Sequence, residues 1–158
     1  MPQNFEKTDD FDLNRLTVKR PTMGDDIPVF LWKLIRIVGF HRVLEEETPV
    51  ISYFMGKQIG KMVKVGNIKE LQKKLTDLKI GKISFPVNSA NRVHMEISEC
   101  LTCYGINPPL GKAVCQLETG IVAGILEGMY SGRKVIGEET KCIGGLGHDV
   151  CLMEYKII

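Results

Sequence analysis

Four residues in the last third of the chain have the types and spacing of a metal site: Cys115, Glu139, Cys142 and Cys151. Zinc takes four ligands, and thiolate is its preferred soft donor, so three cysteines and a carboxylate meet the requirement. Glu139 stands three residues before Cys142, close enough for both to reach one ion from a strand that bends or bulges at its end. Cys115 falls where a helix is expected to begin, and the helix dipole there favours its thiolate before any metal arrives. With four protein ligands the site is structural and pins a helix to a hairpin. With water in one position, the ion polarises a substrate or activates that water.

Other groups lie close enough along the chain to compete. Cys100 and Cys103 form a Cys-x-x-Cys pair, which chelates a metal or acts as a redox couple. A redox pair opens a helix just after a strand; here a strand precedes it, but a loop with Pro108, Pro109 and Gly111 stands where the helix would be. Unpartnered buried thiols, a second or alternative metal contact and redox chemistry all remain open for this pair. His148, beside a Gly-Gly-x-Gly turn, is the first substitute for Glu139. The bland alternative for Cys115, Cys142 and Cys151 is burial without a metal, a common fate of cysteine.

The elements that must position these groups follow from hydrophobic periodicity. Phe30, Leu31, Leu34, Ile35 and Val38 recur at helical spacing behind Asp25 and Asp26, and Gly39 is expected to end that helix. It carries Trp32 and is apolar enough to be buried either within the chain or between subunits. Glu45, Glu46 and Glu47 read as a solvated lead-in to a second helix, with Thr48 as cap and Pro49 as first residue, running to about Val65. Its apolar face is expected to be Ile51, Phe54, Met55, Ile59 and Met62, with Lys57, Gln58 and Lys61 outward. Gly66 and Asn67 introduce a third helix that buries Ile68, Leu71, Leu75 and Leu78.

At Gly81 the period changes to two. Ile83, Phe85 and Val87, then Val93, Met95 and Ile97, alternate with polar residues around an Asn88-Ser89-Ala90 turn, which predicts an antiparallel hairpin. Pro86 cannot donate to a ladder, so its strand is expected at an edge or at a bulge. His94 is expected to face away from the core without a partner. Helical period returns over 113–130, where Gly120, Gly124 and Gly128 share one face. Each glycine costs about 1 kcal/mol relative to alanine, so three in register imply close approach of another backbone, expected to be the sheet, or of a ligand. The last segment alternates Cys151, Met153, Tyr155 and Ile157 inward.

Composition narrows the class. The 158 residues hold 21 basic and 19 acidic side chains and 44% hydrophobic residues, enough for one buried core but without the basic field of a nucleic-acid binder. The reading is an N-terminal extension over residues 1–26 and a single domain over 27–158. An N-terminal stretch with acidic groups and no apolar run, no membrane span and reduced cysteines together suggest a cytoplasmic protein.

Cys115 before an apolar, glycine-rich helix, then Glu139-x-x-Cys142, a glycine turn and Cys151 opening a terminal strand, resemble the 4-vinyl-reductase domain family. That family includes sensory domains of aromatic-hydrocarbon-responsive activators and is related in fold to TRAPP vesicle-tethering subunits and NO-signalling haem domains. The resemblance covers about residues 97–157 and implies an α+β fold, with N-terminal helices on an antiparallel sheet. It also implies zinc on Cys115, Glu139, Cys142 and Cys151 joining the glycine-rich helix to the C-terminal hairpin, a pocket for a small apolar or aromatic molecule, and a homodimer. Phe85, Met95, Tyr104 and Met129 are the candidates to line that pocket. The activators continue into an ATPase module and a DNA-binding helix-turn-helix; neither is in this sequence, so a sensor or carrier with a separate partner is expected. Reduction of a tetrapyrrole vinyl group is the enzymatic rival, although no dinucleotide fingerprint or paired acid and base supports it. A scaffold subunit resembling the tethering proteins is the third reading.

Overall fold

The computed structural model describes Leu16, residues 20–23 and residues 26–158. The expected N-terminal extension lies mostly outside those residues, as does the expected cap Asp25. Pro28 leads into α1 (Val29–Lys33), a π-helical stretch (Leu34–Gly39) and α2 (Phe40–Leu44), continuous in right-handed backbone. Gly39 does not end the helix: its φ of −61° is helical, and the chain turns away only at Glu45, with φ 47°. Glu45–Glu47 form a 3-10 turn, and Thr48 then opens α3 (Thr48–Lys61), its hydroxyl donating to the Glu45 carbonyl at 2.6 Å.

The face of α3 that packs inward is Ser52, Gly56 and Gly60 rather than the expected large apolar residues; Ile51, Phe54 and Ile59 are 39%, 58% and 42% exposed. The cause is α5 (Gln116–Met129), which crosses α3 backbone to backbone. A Cβ on Gly56 would lie 2.1 Å from the Leu117 carbonyl oxygen, and one on Gly60 2.0 Å from that of Ile121. From the other side, Cβ atoms on Gly120 and Gly124 would meet the Tyr53 and Lys57 carbonyls at 2.0 and 2.2 Å. The partner of the glycine face is therefore a helix and not the sheet. Gly128 takes no part, having no neighbour within 4 Å. Lys57, expected outward, turns in to pair with Glu127 at 2.7 Å and donate to the Val135 carbonyl at 2.8 Å.

Asn67 caps α4 (Ile68–Asp77): its side chain accepts from Glu70 N–H, while the Glu70 carboxylate accepts from Gly66 N–H at 2.7 Å. Leu71 and Leu75 are buried, but Leu78 falls past the helix end and is 62% exposed. The sheet has the order β1-β2-β4-β3, with β1 (Lys82–Asn88), β2 (Arg92–Ser98), β3 (Val135–Lys141) and β4 (Cys151–Ile157), every neighbouring pair antiparallel. Pro86 sits on the edge strand at a register shift between Ser84 and Val87, as its missing N–H requires. Val93, Met95 and Ile97 of β2 and Cys151, Met153, Tyr155 and Ile157 of β4 form the buried face. His94 does have a partner: Glu154, 3.8 Å away on the neighbouring β4. The molecule is thus α+β, and among the described residues no helix is long and apolar enough to cross a membrane.

Two glycines on one helix should respond oppositely to alanine. Gly124→Ala forces a methyl onto the Lys57 carbonyl and is expected to lower stability by about 3 kcal/mol or more. Gly128→Ala, in open space, should be neutral or gain up to about 1 kcal/mol from helix propensity. Urea unfolding followed by circular dichroism measures both; equal stability of the two variants would refute the crossing.

Candidate metal centre

Each predicted ligand sits at the end of an element. Cys115 is the N-cap residue of α5, Glu139 precedes a register shift in β3 between Glu139 and Lys141, and Cys151 opens β4. Cys142 caps a one-turn helix, α6 (Ile143–Leu146), which stands where a plain turn was expected and ends at Gly147 with φ 78°. The bulge lets Glu139 and Cys142 face one point although three residues apart. One donor atom from each of Cys115, Glu139, Cys142 and Cys151 lies within 4.8 Å of every other.

Glycines bring the loops in. A Cβ on Gly144 would be 2.1 Å from the Cys103 carbonyl oxygen, and one on Gly145 2.1 Å from that of Lys112. Through the first of these approaches Cys100 and Cys103 join the cluster: Cys100 Sγ is 3.6 Å from Cys115 Sγ, and Cys103 Sγ is 3.2 Å from Cys151 Sγ. All five cysteines are free and buried. A second quartet, Cys100, Cys103, Cys115 and Cys151, is just as compact, with its four sulfurs within 4.8 Å of one another. His148 lies outside both; its Nδ1 accepts from Cys142 N–H at 3.3 Å and its side chain is exposed.

Backbone donors favour negative charge at these atoms. Cys115 N–H donates to Glu139 Oε2 at 2.7 Å, Gly145 N–H to Cys142 Sγ at 3.3 Å and Ile143 N–H to Cys151 Sγ at 3.4 Å. The other carboxylate oxygen, Glu139 Oε1, is buried without any hydrogen-bond partner. Burial, with the neighbouring Cys142 second, pushes the Glu139 carboxyl up to about 10, so without metal it holds a proton at neutral pH. Hydrogen bonds from Cys103, Cys115 and Cys151 lower the Cys100 thiol, and the reciprocal bonds to Cys100 and Cys103 push Cys115 and Cys151 up. Three thiolates and a carboxylate oxygen fit zinc: bonds of about 2.3 Å place tetrahedral donors about 3.8 Å apart, inside the 4.8 Å that bounds the separations of these atoms. The orphaned Glu139 Oε1 is an available ligand atom.

The four pocket candidates do not converge. Met95 lines a cavity of about 100 Å³ with Leu75, Ile121, Val122, Ile125 and Glu118. Phe85 and Met129 are half-buried against the core outside that lining, and Tyr104 is 54% exposed on the Cys-x-x-Cys loop. Sequence reasoning missed Glu118. It is 3% exposed, accepts from Thr102 Oγ1, and lies 3.8 Å from the equally buried Arg36. Trp32 Nε1–H donates to the same Thr102 hydroxyl at 3.0 Å. Burial raises the Glu118 carboxyl, against the pull of Arg36. The available signal was a lone charge inside an apolar helix face.

Fold and donors together define a class: an α+β domain organised around a buried, metal-competent cysteine cluster. Residues 93–157 match the model of the vinyl-4-reductase domain. The protein MJ0150 of Methanocaldococcus jannaschii is 30% identical over 142 residues, covering 86% of this chain and 79% of the relative. MJ1642 of the same organism is 28% identical over 136 residues, covering 86% and 81%. The chain belongs to the vinyl-4-reductase domain family. Among solved structures, it is similar to a vinyl-4-reductase family protein from M. jannaschii, at TM-score 0.66 and 24% identity over 86% of this chain and 85% of the other. The phenol-responsive sensory domain of the transcription activator PoxR, solved with phenol, gives a TM-score of 0.60 at 16% identity, covering 83% and 75%. Trafficking protein particle complex subunit 3 from Naegleria fowleri, covalently bound to palmitic acid, gives 0.60 at 14%, covering 82% and 95%. At these identities the structural likenesses establish the fold.

The raised Glu139 carboxyl has a definite sign in metal-free protein. Its stabilising contribution is complete below the ordinary carboxyl value of 4.5 and is lost as pH rises towards about 10, because the unfolded chain gives up the proton first. Glu139→Gln, neutral at every pH, should therefore be less sensitive to a rise from pH 6 to pH 9 than the native chain. Thermal melts of chelator-treated protein across that range check it, and parallel pH profiles for the two proteins would count against the buried acid.

Proposed function

We propose that this chain is a zinc-stabilised small-molecule-binding domain, a sensor or carrier for a compact apolar or aromatic ligand, working in the cytoplasm with a separate output partner. Zinc on Cys115, Glu139, Cys142 and Cys151 would tie the start of α5 to β3, α6 and β4 and add folding free energy there. The observation that carries the ligand reading is the cavity beside Met95, whose walls are wholly apolar, Glu118 and Lys74 contributing only their stems. Glu118 Oε2 faces Arg36 at 3.8 Å, so the cavity itself presents only apolar surface, which suits a compact apolar or aryl group. The PoxR sensory domain, solved with phenol, supports the same ligand class. Of the four expected lining residues, Met95 carries the proposal forward.

A homodimer is part of the proposal. Phe30, Leu34, Val38 and Val43 on the first helical segment are 74%, 42%, 49% and 79% exposed, and Val50 and Phe54 on α3 add 53% and 58%. An apolar surface this extensive is the kind that monomers rarely leave uncovered.

The ligand reading is tested with phenol itself. Saturating phenol should raise the melting temperature of zinc-loaded protein by about 2–5 °C, and Met95→Phe, filling the cavity, should abolish the shift while zinc content stays unchanged. No shift with phenol or with a panel of small alkyl and aryl alcohols, together with no co-purified mass, would sink it. For the dimer, Phe30→Asp with Val38→Asp should halve the mass seen by light scattering; a native chain that is already monomeric at micromolar concentration would refute it.

A further inference from the structure

Resting on the zinc site proposed above, we infer that Cys100 and Cys103 complete a second thiolate-rich site, giving a binuclear centre in which Cys115 and Cys151 bridge two divalent, thiophilic ions. One ion is held by Cys115, Glu139, Cys142 and Cys151, the other by Cys100, Cys103, Cys115 and Cys151. Six donors with two shared supply four to each ion, which is the coordination zinc requires. A thiolate sulfur can be shared in this way. A thiolate keeps further lone pairs after binding one ion, and the two shared residues are both cysteines while the single carboxylate stands at one end.

The geometry sets Cys100 and Cys103 in place for this role. Their loop is fixed independently at several points: Leu101 N–H donates to the Ile80 carbonyl at 2.9 Å, Tyr104 N–H to the Cys100 carbonyl at 2.9 Å, and Thr102 is held between Trp32 and Glu118. Glu99, just before it, adopts a φ of 53°, a conformation that costs free energy for a side chain of its kind. The outcome of these constraints is two sulfurs at 1% and 0% exposure, each next to a different bridging cysteine. The Cys100–Cys115 separation of 3.6 Å is close to the roughly 3.8 Å edge of a zinc–thiolate tetrahedron. Gly144 contributes directly, since any side chain there would drive the Cys103 backbone away from α6.

Charge permits the second ion. One divalent ion on three thiolates and a carboxylate leaves a formal charge of minus two; two divalent ions on five thiolates and a carboxylate leave the same. Ionising Cys100 and Cys103 is thus matched by the ion they bind, with no added charge to bury. The dominance of sulfur selects zinc, or its surrogates cobalt and cadmium, over magnesium or calcium, which prefer oxygen.

The test uses the full chain, stripped of metal under reducing, anaerobic conditions and titrated with zinc alone, then washed and measured by elemental mass spectrometry. Two zinc ions per chain are expected, falling to one in Cys100→Ala/Cys103→Ala and to one in Glu139→Ala/Cys142→Ala. Cobalt(II) loaded to saturation should show an electron paramagnetic resonance signal weakened by exchange through the bridging thiolates, recovering full intensity per ion in either double variant. One zinc per chain, unchanged in Cys100→Ala/Cys103→Ala, overturns this inference and leaves the single-zinc reading standing. No zinc at all overturns both. Iron with acid-labile sulfide in place of zinc, or two magnetically independent cobalt ions, also overturns it. Should a variant fail to fold, zinc-edge X-ray absorption on the native chain decides, since a zinc–zinc scattering path is required and its absence is fatal.

Discussion

The contact on which the remaining architecture depends is made by atoms common to every residue: the backbones of α3 and α5, pressed together at Gly56 and Gly60 on one side and Gly120 and Gly124 on the other. Helices at ordinary separation have side chains between them. Here carbonyl oxygens occupy the places where Cβ atoms would be, so the crossing has little freedom to slide or rotate. That rigidity has consequences at both ends of α5. Its start is where Cys115 is presented, and towards its far end Glu127 fixes Lys57 and accepts from the Val135 N–H at 3.0 Å, tying the helix to β3. Large apolar residues of α3, displaced from the seam by the need for small ones, are left on the outside.

The cysteine cluster shows the complementary strategy, convergence of loop and element ends. No two of its donors come from the interior of one element: a helix cap, a strand bulge, a one-turn helix, a strand start and a loop each contribute. Such a site is poorly enforced by hydrophobic packing alone, and its backbone N–H donors compensate by orienting the sulfurs and the carboxylate. Burial supplies the rest of the chemistry. It makes uncompensated charge expensive, so the Glu139 carboxyl holds its proton until a cation arrives.

Much of this was legible in sequence because it depends on periods and spacings. The alternation through Val93, Met95 and Ile97, the inward set Cys151 to Ile157, the edge position of Pro86 and the Asn67 cap all follow from local rules, and all hold. The quartet Cys115, Glu139, Cys142 and Cys151 was legible for the same reason, since each member lies at a point where the pattern changes. What failed was whatever depended on the partner. The α3 face was misassigned because side-chain hydrophobicity carries no information about a seam that admits only glycine and serine. Gly39 looked like a stop but is helical, and Leu78 kept the helical spacing after the helix had ended. Lys57 and Glu118 became readable only when Glu127 and Arg36 appeared across the helix interface. The place of Cys100 and Cys103 was open for a related reason: a Cys-x-x-Cys pair has no preferred neighbours until the chain around Gly144 is folded against it.

The strand order β1-β2-β4-β3 puts the last of the four strands in the interior of the sheet. Ile97 must wait for Cys151, and Val135 for Ile157, before either pairing exists. The β1-β2 hairpin is local and can form early, whereas the β2-β4 register, like the α3–α5 crossing, closes a long stretch of chain and is slow on topological grounds. During synthesis, β3 therefore emerges with a bare edge and its neighbouring cysteines uncovered until β4 follows. The order in which the ribosome delivers these segments leaves a time in which the half-made sheet is most exposed to mispairing and to oxidation.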